Sequence, residues 1–541
     1  MVLIRRFASI DFLRGLAIWL MILVHTVMRW YDRAWIEAGG VEVPGILLVL
    51  MILLIVVGGS AGFFLMVSAI GNMISMWRNL EKKISIKGLF LKQVLGGILL
   101  LIFAMIVEAI IGYKGALGQL VISDWEYGVW AYRYRFFHME TIHTIAFCVI
   151  INGIVQVILS RNNGFRKIKR NIIIYVILAV ICIILTIPIY NIVRYFIPGY
   201  PLGVNPETGI PFQYPLIGVS DPLDYLVLFF LFPIAGNPEP LFPFLAISFI
   251  GSIIGIYMCK EKPSKSFPKK GMYIGFTMFL IGAIGVVIAI TMGFETFGNF
   301  LANFWNITGL YPNSWFWWFI CVNGIAMILI LLVIRLVEFR GIGENFAKKT
   351  IYFRRIGFVA FSVYTFQFFD VLPRFLYGFI PGVPAFPLKM GPQVILLIPL
   401  VFLTWELILR LWEKTNFTGG LEWSIGIIAD QLIPAKGAKG PWWKPSRLDA
   451  KEYLYNAEWL NIIPKNEVEH EKLKDSKLSF KLSLLGFIGF PLSIIALFIA
   501  RTSVKTEGKN KFNKIATILS FTGLGFFAII LVVLSFISIT I

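Results

Sequence analysis

The sequence predicts an all-α fold, a polytopic membrane helical bundle of about 10 core spans plus a C-terminal two-helix hairpin. Of the 541 residues, 58% are hydrophobic, more than globular domains usually contain. The apolar residues fall in repeated runs of roughly 20, the length that crosses a bilayer. Lys and Arg gather between alternate runs, as in the cytoplasmic loops of membrane proteins. These observations exclude a water-soluble core.

The apolar runs give the candidate spans in chain order. They cover residues of about 9–28, 45–76, 88–111, 139–159, 171–193, 242–259, 271–292, 314–337, 356–378, 392–412, 481–500 and 515–541. Basic residues precede the first span and follow the second, fourth, sixth and eighth. The prediction is therefore a multi-pass protein of the cell membrane with a cytoplasmic N-terminus.

The chain divides into three predicted parts. Residues 1–412 form the bundle, 413–478 a charged, aromatic cytoplasmic segment along the membrane, and 479–541 the hairpin. The hairpin loop, Arg501 to Lys514, is basic. If the tenth span ends on the cytoplasmic side of the membrane, this loop lies on the outer side. Either the positive-inside rule is overridden there, or an extra crossing lies between 413 and 480.

Charge and cysteine usage limit the partners. The net charge of +19 is explained by basic loops and anionic lipid, so membrane lipids are predicted partners and nucleic acid is not. The four cysteines lie in apolar runs without paired spacing, which predicts buried thiols. No metal-ligand spacing or phosphate-binding glycine loop is found, so no bound cofactor or metal is predicted. The sequence leaves open whether the chain forms a homodimer.

The first span carries the residues around which the site is predicted. Ionisable groups inside a span are costly and usually functional. At roughly 100° per residue, Asp11, Arg14 and His25 share one stripe, and Arg14 and His25 lie roughly 16 Å apart along the axis. The stripe either faces a polar cavity, or Asp11 caps the helix and pairs with Arg14 while His25 is an interfacial histidine.

Three further polar residues open the fourth span on the same predicted side as His25. His138 and His143 are about 140° apart on a helix, which is poor geometry for one shared metal. Glu140 and His143 are three residues apart and can touch. A carboxylate there can orient an imidazole for acid–base work.

Several motifs resemble a known group of membrane enzymes. The opening RRFASIDFLRGLAIWLMILVHTV resembles that of the membrane-bound acyltransferases, including heparan-alpha-glucosaminide N-acetyltransferase, the YeiB-like bacterial proteins and the acyltransferase-3 proteins. Looser similarities follow in the family's order. They are TIHTIAFCVII at Thr141, PLFPFLAISFIGSIIGIY at Pro240, RRIGFVAFSVYTFQFF at Arg354 and GGLEWSIGII at Gly419. The resemblance covers about residues 5–430.

The resemblance implies an acyl-CoA-dependent enzyme that passes an acetyl or short acyl group from the cytoplasm to an extracytoplasmic sugar or glycan. Acetyl-CoA or another acyl-CoA is then the donor substrate. The lysosomal branch carries its key histidine after the first span, where this chain has Asp32 but no histidine. His25 or His143 must then carry the chemistry.

The predicted site follows from the stripe and the resemblance together. Its catalytic residues are His25, His143 and Glu140, with His25 as general base. Arg14 and Arg78 are predicted to bind the donor phosphates. The acceptor is predicted to contact three residues: His138, Asp32 and Gln367. The alternatives are a transporter or flippase of a small polar or lipid-linked molecule, which needs broken helices at the midplane, and a non-catalytic membrane scaffold.

Overall fold

The fold is taken from a computed structural model of the chain. It describes residues 5–30, 61–81, 85–112, 115–118, 139–196, 230–231, 233–235, 239–260, 263–294, 296, 315–379, 392–432, 449–463, 474–486 and 490–540. The described chain is almost entirely helical, which confirms the predicted all-α class.

The helices of the bundle follow the predicted spans. They are α1 (Ala8–Trp30), α2 (Ala61–Glu81), α3 (Ile86–Ile106), α4 (Thr141–Ser160), α5 (Ile168–Phe196), α6 (Leu241–Met258), α7 (Phe267–Thr291), α8 (Trp315–Val337), α9 (Gly343–Lys349), α10 (Ile351–Phe358), α11 (Ala360–Thr365), α12 (Val371–Tyr377), α13 (Pro392–Glu413) and α14 (Leu421–Leu432). Within the described residues, seven helices are long and apolar enough to cross a membrane: α1 and α3 to α8. The chain is therefore a membrane protein.

The remaining elements lie after the bundle. They are α15 (Ala450–Leu454), α16 (Lys474–Leu485), α17 (Phe490–Glu507) and α18 (Lys511–Thr540), with two short parallel strands, β1 (Arg5–Arg6) and β2 (Glu458–Trp459). The strand pair ties the N-terminus to the segment after the bundle. The amide of Leu460 extends this contact by donating to the carbonyl of Arg6 at 2.8 Å.

The bundle has two distinct ends, because its long segments alternate in direction. At one end, Ser9 at the start of α1 donates its amide to Glu338 just after α8 at 3.0 Å. The rings of Trp77 near the end of α2 and Phe165 just after α4 lie 5.3 Å apart at the same end. Most described arginines lie here, so we call it the basic end. The opposite end, where α1 reaches His25, is the cavity end.

The predicted ninth span is not a continuous helix. Residues 356–378 are divided among α10, α11, a 3-10 turn at Gln367–Asp370 and α12, with breaks at Val359 and Phe366. A break exposes backbone N–H groups that lipid cannot satisfy. Glu422 of α14 supplies the acceptor: its carboxylate receives the amides of Phe361 at 2.6 Å and Ser362 at 3.2 Å.

Small residues let the broken segment approach α1 closely. A Cβ atom at Gly15 would lie 1.7 Å from the carbonyl oxygen of Phe353, and one at Gly357 would lie 2.9 Å from the amide nitrogen of Gly15. Only glycine fits so close a backbone crossing. This crossing aligns α1 with the residues that follow in α11 and the 3-10 turn.

The C-terminal part starts and turns at the basic end. Asp475, in the first turn of α16, forms ion pairs with Arg335, at 3.2 Å, and with Arg340. Glu507, at the end of α17, accepts the amides of Asp475 at 2.8 Å and Ser476 at 3.0 Å. The basic loop after α17 therefore lies at the same end as the other basic segments. The helix α16 begins before the first of the two predicted apolar runs, at 481–500, and includes its first residues.

Candidate functional site

A small polar cavity lies at the cavity end of α1. Its volume is about 70 Å³, room for roughly two water molecules. The lining residues come from α1, α2, α4 and the broken segment: Ala17, Ile18, Met21, Val24, His25, Ala61, Phe64, Glu140, Thr141, Glu239 and Tyr364. We call it the imidazole cavity. No lysine or arginine is among the described residues that line it.

One partner of His25 is a neutral amide. The histidine Nδ1 lies 2.6 Å from Oε1 of Gln367, which is the acceptor as the amide is placed. The Nδ1–H then donates, and Nε2 carries the lone pair that a general base needs. Gln367, predicted to contact the acceptor, is placed against the imidazole, and it is not among the residues that line the cavity.

Tyr364 brings a second proton-bearing group to the cavity. Its hydroxyl donates to Oε1 of Glu108 at 2.9 Å, and both residues are buried. Glu108 lies on a π-helical turn, Val107–Ile111, at the end of α3. A π-turn inserts one residue into the helix and re-aims its side chains, and such turns are frequent at functional sites.

Two carboxylates face the cavity from the start of α4 and from the residue before Pro240. Glu140 is 7% exposed and precedes α4 as its N-cap residue. Glu239 is held beside it, because its amide donates to the carbonyl of Met139 at 3.0 Å and its carbonyl accepts the hydroxyl of Thr144. The cavity thus combines one imidazole, one phenol and two carboxylates.

The other predicted histidines are placed differently. His143 is 2% exposed and lies one turn inside α4, but it is not among the described residues that line the cavity. Glu140 and His25 therefore line the same cavity, whereas His143 is not among its described lining residues. His138 and Asp32 lie outside the described residues.

Arg14 lies nearer the basic end of the same helix. Its guanidinium is half-buried and faces Gly71 of α2, where an added Cβ would come within 3.0 Å of the Arg14 Nη2. Asp11, which shares its stripe, pairs instead with Arg6. Within the described part of the chain, Arg14 makes no hydrogen bond and no ion pair, so its charge is available to a ligand.

Arg78 lies at the basic end, three residues before Glu81, the last residue of α2. Its guanidinium stands over the ring of Phe7 at 5.5 Å. Asp11 and Arg6 interact electrostatically with both Arg14 and Arg78. The two predicted phosphate-binding arginines therefore share one region, and both are far along α1 from His25.

Sequence reasoning missed three acidic residues of this site. Glu108 and Glu422 are single carboxylates in apolar surroundings, and an ionisable residue inside a membrane segment is itself a functional signal. Glu239 lies in a proline-rich stretch, where no helical periodicity points to it. Their roles depend on contacts between residues 60 to 256 positions apart, which spacing within one helix cannot reveal.

The arrangement can perform proton transfer at one end of α1 and bind an anion at the other. An imidazole with an oriented tautomer can remove a proton from a hydroxyl or amine. A half-buried guanidinium suits phosphate or carboxylate. No family model, no curated protein and no solved structure matches this chain.

Proposed function

We propose that the protein is a membrane acyltransferase that moves an acetyl or short acyl group from cytoplasmic acyl-CoA to an extracytoplasmic sugar or glycan. The observation that carries the proposal is the pair of groups on α1. Arg14 has no hydrogen-bond or ion-pair partner among the described residues, and Nδ1 of His25 lies 2.6 Å from Oε1 of Gln367. They are separated by roughly 16 Å of helix. This is the span of an extended chain with phosphate at one end and a thioester at the other.

The proposed reaction needs one proton carrier. Nε2 of His25 takes the proton from the acceptor hydroxyl or amine as the acceptor atom attacks the thioester carbonyl. When the carbon–sulfur bond breaks, the CoA thiolate receives that proton from the imidazolium, so the proton count balances. Arg14 and Arg78 hold the donor phosphates, with the N-terminus on the cytoplasmic side.

The cavity volume supports a short acyl group. About 70 Å³ accommodates a group of roughly the size of two waters, which suits an acetyl group. Apolar side chains, including Ile18 and Phe64, line part of the cavity and suit a methyl group. The carboxylates Glu140 and Glu239 suit the hydroxyl or amine groups of the acceptor.

The test is acyl transfer from labelled acetyl-CoA in membranes that contain the protein. Replacing His25→Gln is expected to lower the rate by about 10²–10⁴-fold, the usual contribution of a general base. The matched control is His143→Gln, a nearby histidine that does not line the cavity, and it should retain most of the rate. Full activity in a His25→Ala, His143→Ala double variant would contradict the assignment.

A transporter is the second candidate, favoured by the broken ninth segment. Discontinuous helices at the membrane interior are typical of transporter binding sites, and the break at Val359 is one residue before α11. Uptake of a polar solute into vesicles without CoA would favour this function. Stabilisation of the purified protein by CoA, lost in Arg14→Ala, would favour the enzyme.

A further inference from the structure

A second and larger cavity lies at the basic end, between α9, α10 and the segment that contains β2. Its volume is about 670 Å³, within the range of small-molecule sites. The residues that matter for its chemistry are Glu344, Lys348, Arg354, Tyr455, Ala457 and Trp459. The proposed function does not use this cavity.

Arg354 is a buried charge without a counterion. It is 2% exposed, and its guanidinium donates to the carbonyls of Ala347 at 2.9 Å, Tyr453 at 3.1 Å and Leu454 at 2.8 Å. Its Nε has no partner, and no carboxylate lies within ion-pair distance among the described residues. Burial lowers the pKa of Arg354 to about 10, so it stays protonated at neutral pH. A buried cation in this state favours a bound anion.

Arg355 lines the same cavity but, unlike Arg354, has carboxylate partners. Nε of Arg355 donates to Glu413 at 2.6 Å and Nη1 donates to Glu406 at 3.0 Å. Two carboxylates therefore neutralise Arg355, whereas Arg354 has no carboxylate within ion-pair distance among the described residues.

An exposed second cation, Lys348, lies at the rim of the cavity. Lys348 pairs with Glu344 at 2.7 Å, and their side chains are 73% and 68% exposed. Exposed pairs of this kind are weak, so Lys348 can exchange its partner for a ligand. Glu458 also lines the cavity, which disfavours a ligand that is anionic throughout and favours one with a single charged end.

Aromatic rings complete the cavity. The guanidinium of Arg354 stacks over Trp459 at 4.2 Å, which fixes the direction of its two remaining N–H groups, on Nε and Nη1. Tyr455 also lines the cavity and is 51% exposed. An exposed aromatic ring beside a cation is the usual platform for a nucleobase attached to a phosphate.

We propose that this basic-end cavity binds a phosphate ester of nucleotide size, with phosphate against Arg354 and Lys348 and the base against Tyr455. The proposal stands independently of acyl transfer, because it requires only binding. The phosphate chemistry is shared by anionic lipid headgroups, so the experiment separates the two sources.

The test measures the thermal unfolding midpoint of the purified full-length chain in nanodiscs of neutral lipid. Saturating ADP is expected to raise the midpoint by roughly 2–4 °C and to quench tryptophan fluorescence, with a smaller rise for inorganic phosphate. Because Arg14 and Arg78 are proposed to hold the diphosphate of CoA, the measurement is made in an Arg14→Ala, Arg78→Ala background. In that background, Lys348→Ala should weaken ADP binding at least fivefold, and Ala457→Trp, which fills the cavity, should abolish it. Lys349→Ala is the matched control, because Lys349 is exposed, adjacent and outside the lining.

Three outcomes would overturn the proposal. The first is no shift with ADP at millimolar concentration. The second is an equal loss of binding in Lys349→Ala, which would indicate general surface charge. The third is stabilisation by nanodiscs containing phosphatidylglycerol without any response to ADP, which would assign the cavity to lipid. Because ADP carries no acyl group, failure here leaves the acyl-transfer measurement unaffected.

Discussion

The two ends of the bundle differ in how their buried charged side chains are paired. At the basic end, several carboxylates and arginines are matched: Asp475 pairs with Arg335 and Arg340, and Arg355 with Glu406 and Glu413. The exceptions there are Arg14 and Arg354, the two cations that we propose bind ligands. At the cavity end, no lysine or arginine is among the described residues that line the imidazole cavity, and His25 bonds to an amide. Matched charges at one end hold segments together, whereas the other end keeps groups that can exchange protons.

The choice of an amide as the partner of His25 matters chemically. A carboxylate at that position would stabilise the imidazolium. A smaller fraction of His25 would then be in the neutral, proton-accepting form at neutral pH. Gln367 fixes the ring and its tautomer without favouring the charged form. The ion pairs of the basic end are therefore expected to stabilise the fold, and the polar groups of the cavity end to take part in the reaction. Four variants test this distinction.

The largest effect is expected at Asp475. Asp475→Asn removes the carboxylate charge that pairs with two arginines, and Arg340 is itself only 7% exposed. Breaking a buried ion pair from one side usually costs about 3–5 kcal/mol, because a charge is left uncompensated. We expect a corresponding fall in the thermal unfolding midpoint and faster proteolysis after Leu460. An Arg340→Met, Asp475→Leu double variant should recover part of the loss. An unchanged midpoint in Asp475→Asn would contradict the structural role.

A smaller loss of stability, with loss of activity, is expected at Glu422. Glu422→Ala removes the acceptor of two amides and of the Ser362 hydroxyl at the break in the ninth segment. Leaving buried donors unsatisfied costs about 1–3 kcal/mol. The break would also lose its geometry, so the bond between Gln367 and His25 should be disturbed. Hydrogen exchange at Phe361 and acyl transfer measure the two consequences, and Glu344→Gln serves as the control at an exposed carboxylate outside the break.

The sequence predicted the bundle more fully than the site. Apolar runs and alternating basic loops placed the helices, because membrane thickness and lipid impose those patterns on any span. The stripe on α1 identified Arg14 and His25, since both lie on one helix. Glu108, Glu239 and the pairing of Gln367 with His25 depend on tertiary contacts across hundreds of residues. The broken ninth segment escaped prediction because its composition is that of a continuous helix.

A change in pH dependence is expected at Gln367, with little change in stability. Gln367→Glu conserves size but places a carboxylate 2.6 Å from Nδ1 of His25, at the position of the amide oxygen. The carboxylate favours imidazolium, so the base form appears only at higher pH. The activity profile should move toward alkaline pH by about 1–2 units. Gln367→Met, which has no charge, should lower activity without moving the profile. If the pH profile of activity did not shift in Gln367→Glu, residue 367 would not be in contact with the catalytic base.

The smallest effect is expected at the exposed pair of Glu344 and Lys348. Glu344→Gln breaks an ion pair at 2.7 Å, yet both side chains are largely in solvent. Water and salt already screen such a pair, so the free energy of unfolding should change by less than about 0.5 kcal/mol. The same denaturation measurement used for Asp475→Asn checks this. If the two variants lost equal stability, burial would not distinguish the charges of this protein, and the contrast between its two ends would have to be explained by position alone.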